Sequence, residues 1–198
     1  MGEQWSVIRR FFVLSLLAGL GVGSYWLLTT SRAFTEKARY TLQRKEGAFE
    51  LRDYPPLPVA TVEMTGTGDA AFMRLFRFIG GSNARQEKIA MTTPVLLDGG
   101  SAGSRMSFIL PEKANAAGAP QPADSSIALV ERPAERVAVY RFSGGTSLER
   151  EKVAVVKLRA WLDAQGLSAT GDPVIAYYDA PFIPGFLRRN EAILRLQN

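Results

Sequence analysis

One pattern occurs twice in this chain, and it constrains the fold more than any composition value does. Val59-Ala60 is followed seven residues later by Gly66 and then a helical stretch; Val137-Ala138 is followed seven residues later by Gly144 and then a second helical stretch. The first helix is expected over residues 69–79, with Phe72, Leu75, Phe76 and Ile79 at i, i+3, i+4 and i+7 forming one apolar face. Gly80-Gly81 suits its C-cap, because glycine tolerates a left-handed conformation. The second helix starts from Ser147, a good N-cap residue, and runs to about Gln165 before Gly166. Leu148, Val155, Leu158 and Leu162 mark its buried side, and it is about two turns longer than the first.

Strand patterns flank both helices. Phe49-Glu50-Leu51-Arg52 alternates, and residues 59–64, 88–97, 106–110, 127–131, 136–142, 176–179 and 192–196 read as further strands. Residues 111–125 read as a low-complexity connector. Each half is then strand–strand–helix–strand–strand. Two halves make an α+β domain of about eight strands and two helices. A curved antiparallel sheet or barrel with both helices outside would bury both amphipathic faces.

The 198 residues include no His and no Cys. That removes disulfides, thiolate metal sites, a Cys nucleophile, imidazole ligands and every Ser-His-Asp arrangement. The net charge of +5 suggests nucleic acid only until it is localised. Residues 1–47 hold seven Lys and Arg against three acids, which leaves 17 basic and 16 acidic residues beyond them. The folded part is nearly neutral, so no nucleic-acid partner is expected. Walker loops and dinucleotide-binding glycine fingerprints are absent, and Gly66, Gly68, Gly80 and Gly81 sit at element ends where turns account for them.

Residues 11–28, FFVLSLLAGLGVGSYWLL, carry no charge and are long enough to span a bilayer. Tyr25 and Trp26 lie where interfacial anchors often lie. No small-x-small cleavage site follows closely, which favours an uncleaved anchor over a cleaved signal. The expected plan is an anchor (or signal) over residues 1–30, a linker over 31–47 and a domain over 48–198. Arg9 and Arg10 favour a cytoplasmic N-terminus, although Arg32, Lys37 and Arg39 follow the run. The expectation is a single-pass protein of a bacterial inner membrane with a periplasmic domain.

Gly80-Gly81-Ser82-Asn83, followed by residues 88–95, KIAMTTPV, resembles the hallmark of the SOUL family of haem-binding proteins. Arg52-Asp53-Tyr54 resembles that family's opening strand. Residues 177–190, YYDAPFIPGFLRRN, with Glu191, are similar to its C-terminal signature. The resemblance covers residues 40–198. It implies a distorted eight-stranded antiparallel barrel with two helices, related to bacterial effector-binding domains. It also implies non-catalytic binding of haem or another porphyrin on an apolar surface beside the first helix, with no required axial His.

A tetrapyrrole site needs apolar walls and a few cations at its rim. Phe72, Leu75, Phe76 and Ile79 are the candidate wall. Arg74, Arg77, Arg85 and Lys88 are the candidate partners for propionates. Met91 could offer a thioether, and Tyr177 or Tyr178 a phenolate, although a packing role suits each better. Haem would then be held without a strong axial protein ligand. Thr92 and Thr93 are expected to bond backbone rather than attack substrate, since no activating base accompanies them. Arg188-Arg189-Asn190-Glu191 is expected to form a cation–carboxylate network closing the last strand, with Asp53 or Glu191 as a partner. The expected role is sequestration, buffering or delivery of tetrapyrrole at the membrane. The alternative is a membrane-tethered interaction module for a protein or another apolar small molecule. An enzyme acting on tetrapyrroles or small electrophiles ranks behind both, since Glu50, Glu63 and Glu87 are not spaced as a catalytic pair.

Overall fold

The computed structural model describes residues 35–65, 68–100, 105–116 and 118–197. The apolar run at residues 11–28 and Gly66 lie outside them. From Glu36 onward the chain forms one compact unit. No helix among the described residues is long and apolar enough to cross a membrane.

The strands are β1 (Glu36–Lys37), β2 (Thr41–Glu46), β3 (Phe49–Tyr54), β4 (Leu57–Glu63), β5 (Thr92–Thr93), β6 (Val95–Asp98) and β7 (Arg105–Ile109). They continue with β8 (Ile127–Arg132), β9 (Glu135–Ser143), β10 (Ala169–Tyr177) and β11 (Arg189–Leu196). The helices are α1 (Gly68–Ile79), α2 (Glu112–Ala116) and α3 (Leu148–Ala164). One sheet runs β2-β3-β9-β11-β10-β6-β7-β4-β8, with every pairing antiparallel, and β1 pairs with β5 in a small parallel ribbon.

The duplication is present, but its halves exchange a strand. Without β2, the sheet reads as β3-β9-β11-β10 joined to β6-β7-β4-β8. The first strand of each repeat, β3 or β8, lies beside the second strand of the other repeat, β9 or β4. The order is the same read from either end. Val137 pairs with Arg52 at one end and Val59 with Val130 at the other, so Arg52 and Val130 hold equivalent places.

Three expectations need correction. The eight-stranded barrel is an open nine-stranded sheet, because β2 and β8 stand at opposite edges and do not pair. The ninth strand, β2, was expected to be linker. Its sequence, TLQRKE, is exposed throughout, the polar composition with which edge strands avoid further pairing. A third helix, α2, occupies part of the expected connector. In addition, the strand expected over residues 88–97 forms only as β5 and β6, on either side of a cis Thr93-Pro94 bond.

Both long helices lie on the same sheet face. Leu97 packs under α1 and Ile175 under α3, and the two are cross-strand partners that point the same way. The stripe that α1 buries is Ala71, Leu75, Phe78 and Ile79. Each large member stabilises the fold by about 1.5–3 kcal/mol. Helix α3 buries Glu151, Ala154, Leu158 and Leu162, while Leu148, expected on that side, is exposed. Ser147 takes the N-cap position without a side-chain capping bond. Both helices end alike. Ser82 N–H donates to Arg77 O and Gly81 N–H to Phe78 O; Leu167 N–H donates to Leu162 O and Gly166 N–H to Asp163 O. These paired bonds close a Schellman turn, with Gly81 and Gly166 supplying positive φ. The opposite, concave face carries Val59, Leu96, Ile109, Val137, Val139 and Ile193 as a second apolar layer.

Candidate functional site

At the β2-β3-β9-β11 end the concave layer gives way to charge. Successive residues of a strand point to opposite faces, so Phe49 and Leu51 pack beneath α3 while Glu50 and Arg52 point the other way. Arg52 is 1% exposed. Its two terminal nitrogens donate to the two Glu191 oxygens at 2.8 and 2.7 Å, a bidentate fork, and its Nε donates to Glu50 Oε2 at 2.8 Å. Arg52 also donates to Tyr54 Oη at 3.1 Å, and Tyr178 Oη donates to Glu191 Oε2 at 2.8 Å. The Tyr40 ring lies over the guanidinium, 4.2 Å from centroid to Cζ.

These contacts fix the charge states. Burial alone would lower the Arg52 pKa, but its bonds to Glu191 outweigh that and raise it. Burial pushes the Glu50 carboxyl up, yet Arg52 and Lys45 bring it below the usual value. Burial, with the Glu191 charge, pushes the Tyr178 phenol far up; Tyr54 is pushed up to about 12, by burial and then Glu191 against the opposing pull of Arg52. At neutral pH both phenols are therefore protonated.

An open cleft of about 550 Å³ lies over this cluster, within the range of roughly 300–1,000 Å³ that holds small ligands. Ala38, Tyr40, Leu42 and Tyr178 give it apolar surface, and Lys37, Lys45, Arg52, Arg141 and Arg189 face it against only two acids, Glu50 and Glu191. Glu191 pairs with Arg52, Glu50 with Arg52, Lys45 and Arg141, and Arg189 with Asp179, so the cleft keeps a net positive rim beside the Tyr40 ring.

None of the residues expected to hold the ligand lines this cleft, and the structure divides them. Leu75 and Ile79 are buried beneath α1 and form core. Phe72 is half-buried, edge-on to Phe108 at 5.3 Å and stacked with Phe76 at 5.9 Å. Phe76 is 48% exposed, with Met73 exposed beside it. Arg74 is paired with Asp124 at 3.0 Å. Arg77 and Lys88 are exposed; Arg85 lies 3.6 Å from Glu87. Met91 is half-buried against the core beneath α1. Phe72 and Phe76 thus share an outer surface with Met73, while the other expected wall residues are interior.

The signature segments have structural roles. Asn83 is buried; its amide donates to Phe78 O and Glu87 O and accepts from Arg85 N–H and Glu87 N–H, shaping the loop after α1. Thr92 Oγ1 donates to Ile109 O, and Thr93 Oγ1 to Glu36 O at 3.5 Å. In the C-terminal network Arg189 pairs with Asp179 at 2.9 Å, Glu191 with Arg52, and Asn190 donates to Gly144 O at 2.9 Å. Asp53 pairs instead with Arg136. Tyr177 donates to Glu151 on the helix side. The cleft itself was missed. Its one signal was the pair Glu50 and Arg52 on the strand face opposite Phe49 and Leu51.

A sequence profile described as "SOUL heme-binding protein" matches residues 35–195. Heme-binding protein 1 of Xenopus tropicalis is 30% identical over 162 residues, covering 74% of this chain and 83% of that protein. Among solved structures, the C-terminal domain of EcmrR superposes with a TM-score of 0.54 at 14% identity, covering 80% of this chain and 98% of that one. A hydrolase from Listeria innocua gives 0.56 at 12%, covering 85% and 97%. The last two likenesses concern the fold.

Proposed function

Because the chain belongs to the SOUL haem-binding family, we propose that it binds haem or a related tetrapyrrole without turning it over, and that the cleft beside Arg52 holds the disc. The observation that carries this reading is the cleft's combination of aromatic wall and cationic rim. A tetrapyrrole offers flat apolar faces and two carboxylates. Tyr40 and Leu42 would meet a face, and Lys37, Lys45, Arg141 and Arg189 the carboxylates, the last three sharing their charge with Glu50 and Asp179. The residues fit the group without an axial bond from His or Cys, which the chain lacks. Tyr178 is a hydrogen-bonded, protonated phenol and a poor iron ligand. Binding rather than catalysis is favoured because Glu50 is held by Arg52, Lys45 and Arg141, and Glu191 by Arg52 and Tyr178, which leaves neither poised as a base. Sequestration or delivery at a bacterial inner membrane follows if residues 11–28 form the anchor their sequence suggests.

Titration of the purified chain with hemin tests the reading. The expected result is a saturable Soret shift, with resonance Raman bands showing no nitrogenous or thiolate axial ligand from the protein. A spectrum matching hemin with an unrelated apolar protein would overturn it. A second location for the same ligand is the outer surface of α1, favoured by the joint exposure of Met73 and Phe76 beside Arg77.

A further inference from the structure

The loop between β10 and β11 presents two aromatic rings to solvent: Phe182 is 83% and Phe186 78% exposed. This is not a frayed segment. Ile183 between them is buried and anchors the loop. Ile183 N–H donates to Ala180 O, Leu187 N–H to Pro184 O and Arg188 N–H to Gly185 O. The Arg188 side chain donates to Ile183 O at 2.6 Å and to Pro181 O, tying the loop to itself. Gly185 sits so close to Gly145 that a Cβ there would meet its backbone nitrogen at 3.0 Å. Holding two large apolar side chains rigidly in water lowers the ordering cost of binding and calls for an apolar partner.

The surroundings indicate which partner. Arg150 donates to Gly145 O at 2.7 Å, and Arg188 is held by loop carbonyls, so both bring positive charge beside the rings and spend their bonds on backbone. Arg189 and Lys37 lie at the adjoining cleft, whose lining also includes Ala38 and Ser143. The chain's entry into the domain, the cleft mouth and the Phe182–Phe186 loop therefore share one end of the sheet. Seven residues, 29–35, separate the apolar run 11–28 from β1. Fully extended, they reach at most about 25 Å. A bilayer that holds the run would then lie within reach of that end of the domain. Aromatic rings flanked by Arg are the composition that enters an anionic lipid interface.

We infer that the Phe182–Phe186 loop is a lipid-docking element that inserts its two rings into an anionic bilayer surface and sets the cleft mouth against it. The inference does not depend on the identity of the cleft's ligand.

The absence of Cys makes the test direct. Phe182→Cys and, as a control on exposed α3, Val156→Cys are each labelled with an environment-sensitive fluorophore in the full chain, reconstituted into phosphatidylcholine vesicles with and without phosphatidylglycerol. The label at position 182 should shift to the blue, lose quenching by aqueous iodide and gain quenching by spin-labelled lipid. The label at 156 should do none of these, and phosphatidylglycerol should strengthen the difference. Equal exposure of both labels to iodide overturns the proposal. So does shielding that vanishes when protein is diluted at constant lipid, which marks self-association instead.

Discussion

The two ends of the sheet are built on the same strand pattern and do different things with it. Where Val59 pairs with Val130, the neighbouring interior polar groups are small: Ser107 Oγ donates to Thr61 Oγ1, which donates to Met106 O. Where Val137 pairs with Arg52, a guanidinium, two carboxylates and two phenols lie beneath an open cleft. The Val130 end has charge too, but Arg132 with Asp98 and Glu135 is only partly buried, whereas the fully buried ion pair belongs to the Arg52 end.

The largest effect that could break this comparison comes from Arg52→Met. It leaves Glu50 and Glu191 buried without their shared counter-charge, and about 3–5 kcal/mol of stability should be lost in urea denaturation. Val130→Ala, at the equivalent place on a half-exposed edge strand, should cost less than about 1 kcal/mol. Similar losses at both would mean that Arg52 is only a structural strand residue. The triple variant Glu50→Gln, Arg52→Met, Glu191→Gln should recover much of the loss, because no unpaired charge remains.

Acid sharpens the same contrast. Glu50 has its folded-state pKa depressed, so its contribution is complete above its unfolded value of about 4.3 and is lost as pH falls through the lower folded value. The stability gap between wild type and Arg52→Met should accordingly narrow as pH falls, as the Glu50 carboxyl left behind becomes neutral. Denaturation curves collected down the acid limb check this. A gap indifferent to pH would show that the loss comes from packing rather than charge.

Smaller effects are expected where the two halves agree. Both helices end in a Schellman turn, but Gly166 has φ of 65° while Gly81 has φ of 117°. Gly166→Ala enters the ordinary left-handed region with nothing near its Cβ and should cost about 1 kcal/mol. Gly81→Ala has no comparable basin and should cost more, up to about 3 kcal/mol. Thermal melts of the two variants would show whether the caps are interchangeable.

The sequence makes the duplication legible because Val59-Ala60 and Val137-Ala138 fall at matching distances before helices ended by glycine. It also shows that Thr92 and Thr93 bond backbone. It does not show the exchanged first strands, since pairing between halves leaves no mark on local periodicity. The buried face of α1 shares Leu75 and Ile79 with the expected stripe but replaces Phe72 and Phe76 by Ala71 and Phe78. Phe76 fits an apolar stripe at i+4, yet Phe78 supplies the buried ring and Phe76 faces out. A helix with aromatic residues at 72, 76 and 78 does not reveal which side the sheet covers. The cleft was hidden for a related reason. Glu50 and Arg52 alternate with apolar residues as if one face of β3 were open to water, whereas the residue before β2, the residue after β10 and β11 bring Tyr40, Tyr178 and Glu191 over them.

The central claim is that a tetrapyrrole sits over Arg52 rather than on α1, and hemin affinity in two surface variants tests it most directly. Leu42→Asp with Lys37→Glu alters the cleft rim; Phe76→Asp with Arg77→Glu alters the outer face of α1. All four positions are exposed, so both proteins should fold. The cleft variant should bind hemin at least about tenfold more weakly, a change of about 1.4 kcal/mol, and the α1 variant should match wild type. The reverse pattern, with affinity lost only on altering Phe76 and Arg77, would contradict the account.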